Sequence, residues 1–144
     1  MTGKEEVYCA ASSFFEPSAE KKILKITGQT HVDSIPWVNR LIDATWTNKG
    51  FPLFTAGDGI FENTSGTWRE IPTGIYAHMI RGTALNNIFA VGDFGYITHY
   101  DGETWQQVGY DYNAVYTGLA VMGNLVVAVG EKDGRAIATI GRRQ

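Results

Sequence analysis

Residues 89–105 read FAVGDFGYITHYDGETW, and this stretch decides the fold because versions of it recur along the chain. Its second half runs from an isoleucine to an aromatic residue eight positions later. The same separation joins three pairs of residues: Ile23 and His31, Ile60 and Trp68, and Ile97 and Trp105. The three isoleucines follow one another at intervals of 37 residues. Periods in this range are typical of repeat architectures.

A fourth copy follows, in which VAVGEKDGRAIATI matches FAVGDFGYITHY and Ile137 takes the place of Ile97. The position expected for its tryptophan, eight residues after Ile137, would be 145. The four units span residues 7–35, 41–72, 76–108 and 114–141. We expect the first unit to lack its innermost strand and the fourth to lack its outermost strand.

Each complete unit divides into four short apolar or alternating segments. Short turn sequences such as Asp-Gly, Ser-Gly and Asn-Lys-Gly separate these segments, and asparagine, aspartate and glycine tolerate the positive φ angles of tight hairpins. Four antiparallel strands that repeat about every 37 residues are typical of β-propeller blades. The sequence therefore predicts an all-β fold of about four blade units, two complete and two partial, in a single module without an internal domain boundary.

The segment GDFGYITHYDGETW, residues 92–105, resembles the blade repeat of bacterial propellers described as sialidase-like or Asp-box-related. The resemblance is strong over residues 41–108 and weaker over residues 7–35 and 115–140. It implies a propeller fold and leaves function open, because propeller blades serve enzymes, lectins and scaffolds. One departure is that Asp101 and Trp105 stand one residue closer together than in a true Asp-box.

Composition excludes several classes of function. A net charge of -3 provides no basic surface for nucleic acid or anionic lipid. The segment MTGKEEVY has no apolar core, so we expect no signal peptide in this chain, and the apolar run LAVMGNLVVAVG is broken at Gly123 and Asn124, so we expect a soluble chain without a membrane span. The three histidines have no metal-ligand spacing, and no cofactor motif occurs, so we expect neither a metal nor a cofactor.

Residues that recur at one position of the repeat are expected to be structural. Trp68 and Trp105 are expected to pack between neighbouring blades, with His31 in their place in the first unit; a ligand-stacking platform is the alternative. Gly57, Gly92 and Gly130 each end a second strand. The turn residues Asp101 and Ser65 are expected to bond the local backbone.

Three acids could form a site because each follows one of those glycines. Asp58, Asp93 and Glu131 would lie in an arc on one face of a propeller, with Phe61, Phe94 and Tyr96 beside them. Turn chemistry is the favoured explanation of these acids; the alternative is a site for a cation or for sugar hydroxyls. If the chain has a ligand site, we expect it at this face.

The sequence supports two hypotheses about function, and neither assigns a catalytic residue. The favoured one is a non-catalytic propeller module that binds a protein or glycan or acts as an assembly scaffold. The alternative is part of a sialidase-like or other glycoside-processing enzyme, although no carboxylate pair or arginine cluster for such chemistry can be identified. Because two partial units leave strand edges and blade faces uncovered, we predict a homodimer that completes a propeller; the other explanation is that the chain is a segment of a longer propeller.

Overall fold

The computed structural model describes residues 5–12, 16 and 19–143. Within these ranges the chain forms strands β1 (Glu6–Ala11), β2 (Lys22–Thr27), β3 (His31–Ile35), β4 (Ile42–Thr47), β5 (Leu53–Asn63), β6 (Trp68–Ala84), β7 (Asn87–Gly92), β8 (Ile97–Tyr100), β9 (Trp105–Gly109), β10 (Ala114–Met122), β11 (Leu125–Lys132) and β12 (Arg135–Arg142). A 3-10 turn, Asp93–Gly95, joins β7 to β8. These ranges contain no α-helix, and no helix of any kind within them is long and apolar enough to cross a membrane.

The strands form three sheets in chain order. A first sheet holds β1-β2-β3, a central sheet holds β4-β5-β6-β7-β8-β9, and a last sheet holds β10-β11-β12. Every pairing of successive strands is antiparallel. The prediction of an all-β fold with antiparallel strands is therefore confirmed. The described residues do not form a closed propeller: the first sheet contacts β4, and the last sheet contacts β6 and β7.

Two long strands of the central sheet, β5 and β6, each pair with one neighbouring strand along their first half and with another along their second half. Residues 53–57 of β5 pair with β4, whereas residues 60–63 pair with the start of β6. Phe54 and Glu62 line one shallow depression, although eight residues of straight strand would separate them by about 26 Å. The chain therefore folds back at Asp58 and Gly59, where Gly59 has φ +98°. The end of β6, residues 77–84, pairs with β7.

The three glycines that end the second strands have the same surroundings. In each case a Cβ atom would collide with the carbonyl oxygen of the residue that precedes the glycine's pairing partner on the neighbouring strand. The distances are 2.1 Å for Gly57 to Leu41 O, 1.9 Å for Gly92 to Tyr76 O, and 1.9 Å for Gly130 to Val115 O. Because the backbones approach so closely, any side chain would push the two strands apart.

Apolar side chains fill the seams between neighbouring sheets and units. Ile23, Ile42 and Leu53 lie between the first sheet and the central sheet. A second cluster, which includes Phe54 and Ile60, lies inside the central sheet. The third cluster joins the central sheet to the last: Phe89, Val91, Ile97, Ala114, Tyr116 and Ala128. The strand β7 is buried at all six positions: its apolar residues IFAV face neighbours on both sides, and Asn87 forms hydrogen bonds with Thr83 and Gly123.

Candidate functional site

Polar side chains gather where β4, β5 and β6 meet the 3-10 turn. Gly57 contacts Leu41 as Gly92 contacts Tyr76, so the first strands of the two central units are related by 35 residues. With this offset Asp43 and His78 occupy equivalent positions on β4 and β6. Asp58 and Asp93 are related by the same offset, since each follows one of the two glycines.

His78 lies between two carboxylates. Its Nδ1 is 2.9 Å from Asp43 Oδ2, and its Nε2 is 2.8 Å from Asp93 Oδ1. An imidazole that carries hydrogen on both ring nitrogens can donate to both carboxylates, whereas a neutral ring can donate to only one. His78 therefore links β4 to the turn after β7. Its side chain is about a quarter exposed, so the bridge is open to solvent on one side.

Tyr76 extends this polar group along β6. Its hydroxyl donates a hydrogen bond of 3.0 Å to Asp43 Oδ1, and its ring centroid lies 5.0 Å from that of His78. Burial, the bond to Asp43 and the negative charges of Asp43, Asp58 and Asp93 raise the pKa of Tyr76. The phenol therefore keeps its proton at neutral pH, so it can donate hydrogen bonds but is a poor nucleophile.

Arg40 supplies the positive charge at the other end of this surface. Its Nε donates to Asp58 Oδ2 over 3.2 Å, and its Nη1 donates to Glu70 Oε2 over 3.1 Å. The guanidinium also lies over the ring of Phe61, 5.1 Å from the centroid, as in a cation–π contact. We call this surface the His78 face; its members are Arg40, Asp43, Asp58, Glu70, Tyr76, His78 and Asp93.

The predicted site residues are only partly brought together. Asp58 and Asp93 belong to the His78 face, but Glu131 lines a separate open groove of about 960 Å³ on the last sheet. Phe61 and Tyr96 are buried and offer little surface to a ligand. Phe94 is half exposed, and its ring stacks on Tyr112 with centroids 5.3 Å apart.

The two repeated tryptophans pack in seams. Trp68 meets Trp37 edge to face at 4.8 Å and donates its indole N–H to Pro36 O. Trp105 stacks on Tyr100 and lies 6.2 Å from Phe54 of the preceding unit. His31 does not fill the equivalent position, because its side chain is exposed and pairs with Asp33.

Asp101 forms hydrogen bonds with the local backbone, as expected. The equivalent turn of the second unit is bonded by a residue other than Ser65. Asp101 Oδ1 accepts hydrogen bonds from the backbone N–H groups of Glu103 at 2.9 Å and Thr104 at 2.8 Å. These bonds lower the pKa of Asp101. In the second unit, Asn63 Oδ1 accepts a hydrogen bond of 2.7 Å from the backbone N–H of Gly66. This turn is therefore bonded by Asn63, where the sequence predicted Ser65.

Neither the His78 face nor any other group of acids, histidines and cysteines in the described ranges has an arrangement that could hold a metal ion. On the His78 face the reason is visible, because the imidazole stands between Asp43 and Asp93 and occupies the space where an ion would bind both. The face can donate and accept hydrogen bonds and can attract positive charge. Its four carboxylates outnumber its arginine and histidine.

Comparison of the chain with protein-family models, with curated proteins and with solved structures finds no match.

Proposed function

We propose that this chain is a non-catalytic β-propeller module that binds a protein or a glycan through the His78 face. The observation that carries the proposal is the group of partly exposed carboxylates, phenol and imidazole at one end of the central sheet. Asp43, Asp58 and Asp93 keep roughly a third to a half of their side-chain surface in solvent. Carboxylates paired in this way can accept hydrogen bonds from sugar hydroxyls or from the cationic groups of a protein.

Three features favour binding over catalysis. The pKa of Tyr76 is raised, which opposes the phenolate that a tyrosine nucleophile needs. Arg40 is already bound to two carboxylates, so it is not free to clamp the carboxylate of an acidic sugar. A glycoside-processing enzyme would also need a general acid and a second carboxylate on either side of the scissile bond. The acids of the His78 face are instead held by their own neighbours.

The propeller part of the proposal is supported by the recurrence of local geometry. Gly57, Gly92 and Gly130 make the same backbone contact in three successive units. The tryptophans Trp68 and Trp105 each close a seam toward the preceding unit. First strands of adjacent units also lie side by side, since β4 neighbours β6, and β6 neighbours β10. This is the relation expected of inner strands around a propeller axis.

The test is a glycan array and a fluorogenic glycoside panel applied to the same preparation. We expect binding without turnover; turnover that follows the chain through purification would overturn the proposal in favour of an enzyme. The double variant Asp58→Asn and Asp93→Asn should then weaken binding at least tenfold with little change in Tm. Asp33→Asn is the matched control, because Asp33 is an exposed carboxylate that pairs with a histidine away from the face. If the double variant unfolds, the two acids serve the turns and the face is not the site.

Self-assembly belongs to the same proposal. Val115 and Val129 are exposed along the open groove of the last sheet, and Val7 and Val32 are exposed on the first sheet. Contact between such faces of two copies would remove apolar surface from water and gain about 25 cal/mol per Å². We expect a dimer in light scattering at micromolar concentration, and Val129→Lys should dissociate it. A parent chain that stays monomeric would contradict this part of the proposal.

A further inference from the structure

A pocket of about 380 Å³ lies in the seam between the two central units. Both units line it: Phe54 and Glu62 belong to β5, and Tyr100 ends β8 of the next unit. The rest of the lining lies outside the strands: Pro52, Leu85, Asn86 and Gly102. We call this space the Glu62 pocket. Mostly apolar pockets of this size that contain a few polar groups are typical of small-ligand sites.

Glu62 supplies the charge of this pocket, and its carboxylate is only partly paired. Its Oε2 accepts a hydrogen bond from Arg69, whose side chain is 69% exposed. No hydrogen bond reaches Oε1 from the residues that the structure describes. Because the side chain of Glu62 is only 11% exposed, an unbonded carboxylate oxygen here is costly. The oxygen Oε1 can therefore accept a hydrogen bond from a ligand.

The aromatic and apolar walls of the pocket suit a cation that carries an alkyl chain. The ring of Tyr100 stacks on Trp105 with centroids 5.2 Å apart, and it lies 6.1 Å from Phe54. Aromatic rings attract cations within about 6 Å of their centroids. Leu85 is 38% exposed at the rim and offers apolar surface to the chain that carries the cation.

The charges around the pocket also favour a cation. The pKa of Tyr100 is raised first by burial and then by three nearby carboxylates, which are those of Glu62, Asp101 and Glu103. Arg69 acts in the opposite direction, and it is the one basic residue that lowers this pKa. Arg143 reaches the rim at Asn86, whose carbonyl oxygen accepts its Nη1 hydrogen bond over 3.4 Å. Three acids close to one phenol thus give the pocket a negative potential.

The next seam shows that packing does not require this acid. Glu62 and His99 hold equivalent positions, because each stands two residues after the isoleucine of its unit. His99 packs on Phe89 with ring centroids 4.4 Å apart. The groove at that seam is lined by Arg142 and Arg143, and none of its lining residues is an acid. The two seams are built alike but carry opposite charge, so the acid of the first seam is a local feature of its pocket.

We propose that the Glu62 pocket binds a primary ammonium group carried on an alkyl chain, the chemistry that a lysine side chain or a free diamine supplies. The ammonium donates to Glu62 Oε1, and the alkyl chain lies against Tyr100 and Leu85. A quaternary ammonium has no hydrogen to donate and is bound less tightly. None of the lining residues belongs to the His78 face, so this proposal does not rest on the function proposed for that face.

The probes are N-acetyl-lysine N-methylamide and diaminobutane, titrated into the full isotope-labelled chain and followed by the NMR shifts of the Leu85 and Gly102 amides. We expect saturable shifts, with a Kd of about 1 mM for so small a ligand as the lysine probe. The norleucine analogue of that probe keeps the alkyl chain without the ammonium and should give no saturable shift. Tighter binding of the lysine probe or of the diamine supports the proposal and identifies the source of the ammonium. Equal binding of the norleucine analogue, or no saturable shift with either amine, would overturn it.

Variants of the protein locate the site. Glu62→Gln should weaken binding of the lysine probe about tenfold, because it removes a charged hydrogen-bond acceptor. Glu6→Gln is the matched control and should leave the affinity unchanged. Glu6 lies on the first sheet and, like Glu62, pairs with a basic residue of the adjacent strand, in its case Lys25. Equal losses of affinity from the two variants would refute the location.

Arg69→Gln keeps the proposal testable if Glu62→Gln fails to fold. The side chain of Arg69 is largely exposed, so its replacement leaves the core intact. It also releases Glu62 Oε2 from its ion pair, so the lysine probe should bind about threefold more tightly. Unchanged or weaker binding to this variant would contradict the role of the Glu62 carboxylate.

Discussion

Replacement of Gly92 by alanine tests whether the close backbone contact between β6 and β7 is required. The new Cβ would lie 1.9 Å from Tyr76 O and 2.8 Å from Ala77 Cα. Gly92 has φ −171°, an extended conformation that any residue adopts, so the substitution adds no backbone strain of its own. The whole effect must come from the collision. To relieve it, the two strands must separate by about 1 Å at the pair Ala77–Gly92.

A shift of this size would carry a ladder hydrogen bond beyond normal length. Overpacking costs about 1–3 kcal/mol, and the weakened hydrogen bond adds about 1 kcal/mol. We therefore expect Gly92→Ala to lower the free energy of unfolding by about 3 kcal/mol. At roughly 2–4 °C per kcal/mol for a domain of this size, Tm should fall by about 10 °C.

The assay is urea and thermal unfolding followed by circular dichroism, with Gly123→Ala as the control. Gly123 has φ +58° and nothing within 4 Å of its Cβ position, so alanine there adds backbone strain of about 1 kcal/mol without a collision. Gly130→Ala should match Gly92→Ala, because its Cβ would also lie 1.9 Å from a carbonyl oxygen. If Gly92→Ala loses no more stability than Gly123→Ala, the explanation for the recurring glycine is refuted.

Trp105→Ala removes the ring over Phe54 and should lower the free energy of unfolding by about 3 kcal/mol in denaturant titration; a loss below about 1 kcal/mol would contradict a packing role. The raised pKa of Tyr76 means that the folded chain holds this proton more tightly than the unfolded chain. The stability that results is complete below the unfolded pKa of about 10 and is lost as pH rises through the folded value. Asp43→Asn should lower the Tyr76 pKa in a spectrophotometric titration, and an unchanged curve would refute the role of that hydrogen bond. The lowered pKa of Asp101 has the opposite sign: its stabilisation is present above an unfolded pKa of about 4 and is lost as pH falls through the folded value. Asp101→Asn should therefore reduce the drop in Tm between neutral and acidic pH, and a drop equal to that of the parent chain would count against this account.

The all-β fold could be predicted because turn residues and apolar runs alternate along the whole chain. The repeat in the sequence also reveals the recurring glycines, but it does not reveal why glycine is required at these positions. Sequence alone does not reveal that a carbonyl oxygen from another strand would lie about 2 Å from the Cβ of Gly57, Gly92 or Gly130.

The His78 face was only partly predictable. The repeated glycines point to Asp58 and Asp93 but not to their partners Asp43 and His78. The isoleucines of the third strands, which define the repeat, are 37 residues apart. The first strands are 35 residues apart, because the turn after Gly92 is two residues longer than the turn after Gly57. Alignment with the shorter offset places Asp43 and His78 together, so the signal was present.

The exposure of the aromatic residues beside the acids is harder to predict. The face of a strand on which a side chain lies depends on where the preceding turn ends. Phe61 belongs to β5 after its fold-back, and its ring is covered by Trp37 and Arg40. Tyr96 directly follows the 3-10 turn and is buried, whereas Phe94 within the turn has φ +56° and is exposed. The conformation of a three-residue turn is set by its contacts with residues near Asp111, which no local pattern indicates.

The strand β6 gives the chain a mechanical property that its repeat does not suggest. Its 17 residues begin as the last strand of one unit and continue as the first strand of the next, with no loop between them. The same strand carries hydrogen bonds to β5 and to β7, and the pairing passes from one neighbour to the other around Gly74, which has φ +67°. Because the middle two units share this strand, opening of one unit disturbs hydrogen bonds of the other, and we expect them to unfold together. The first and last sheets pair with no strand of this central body, so they can open while it stays intact.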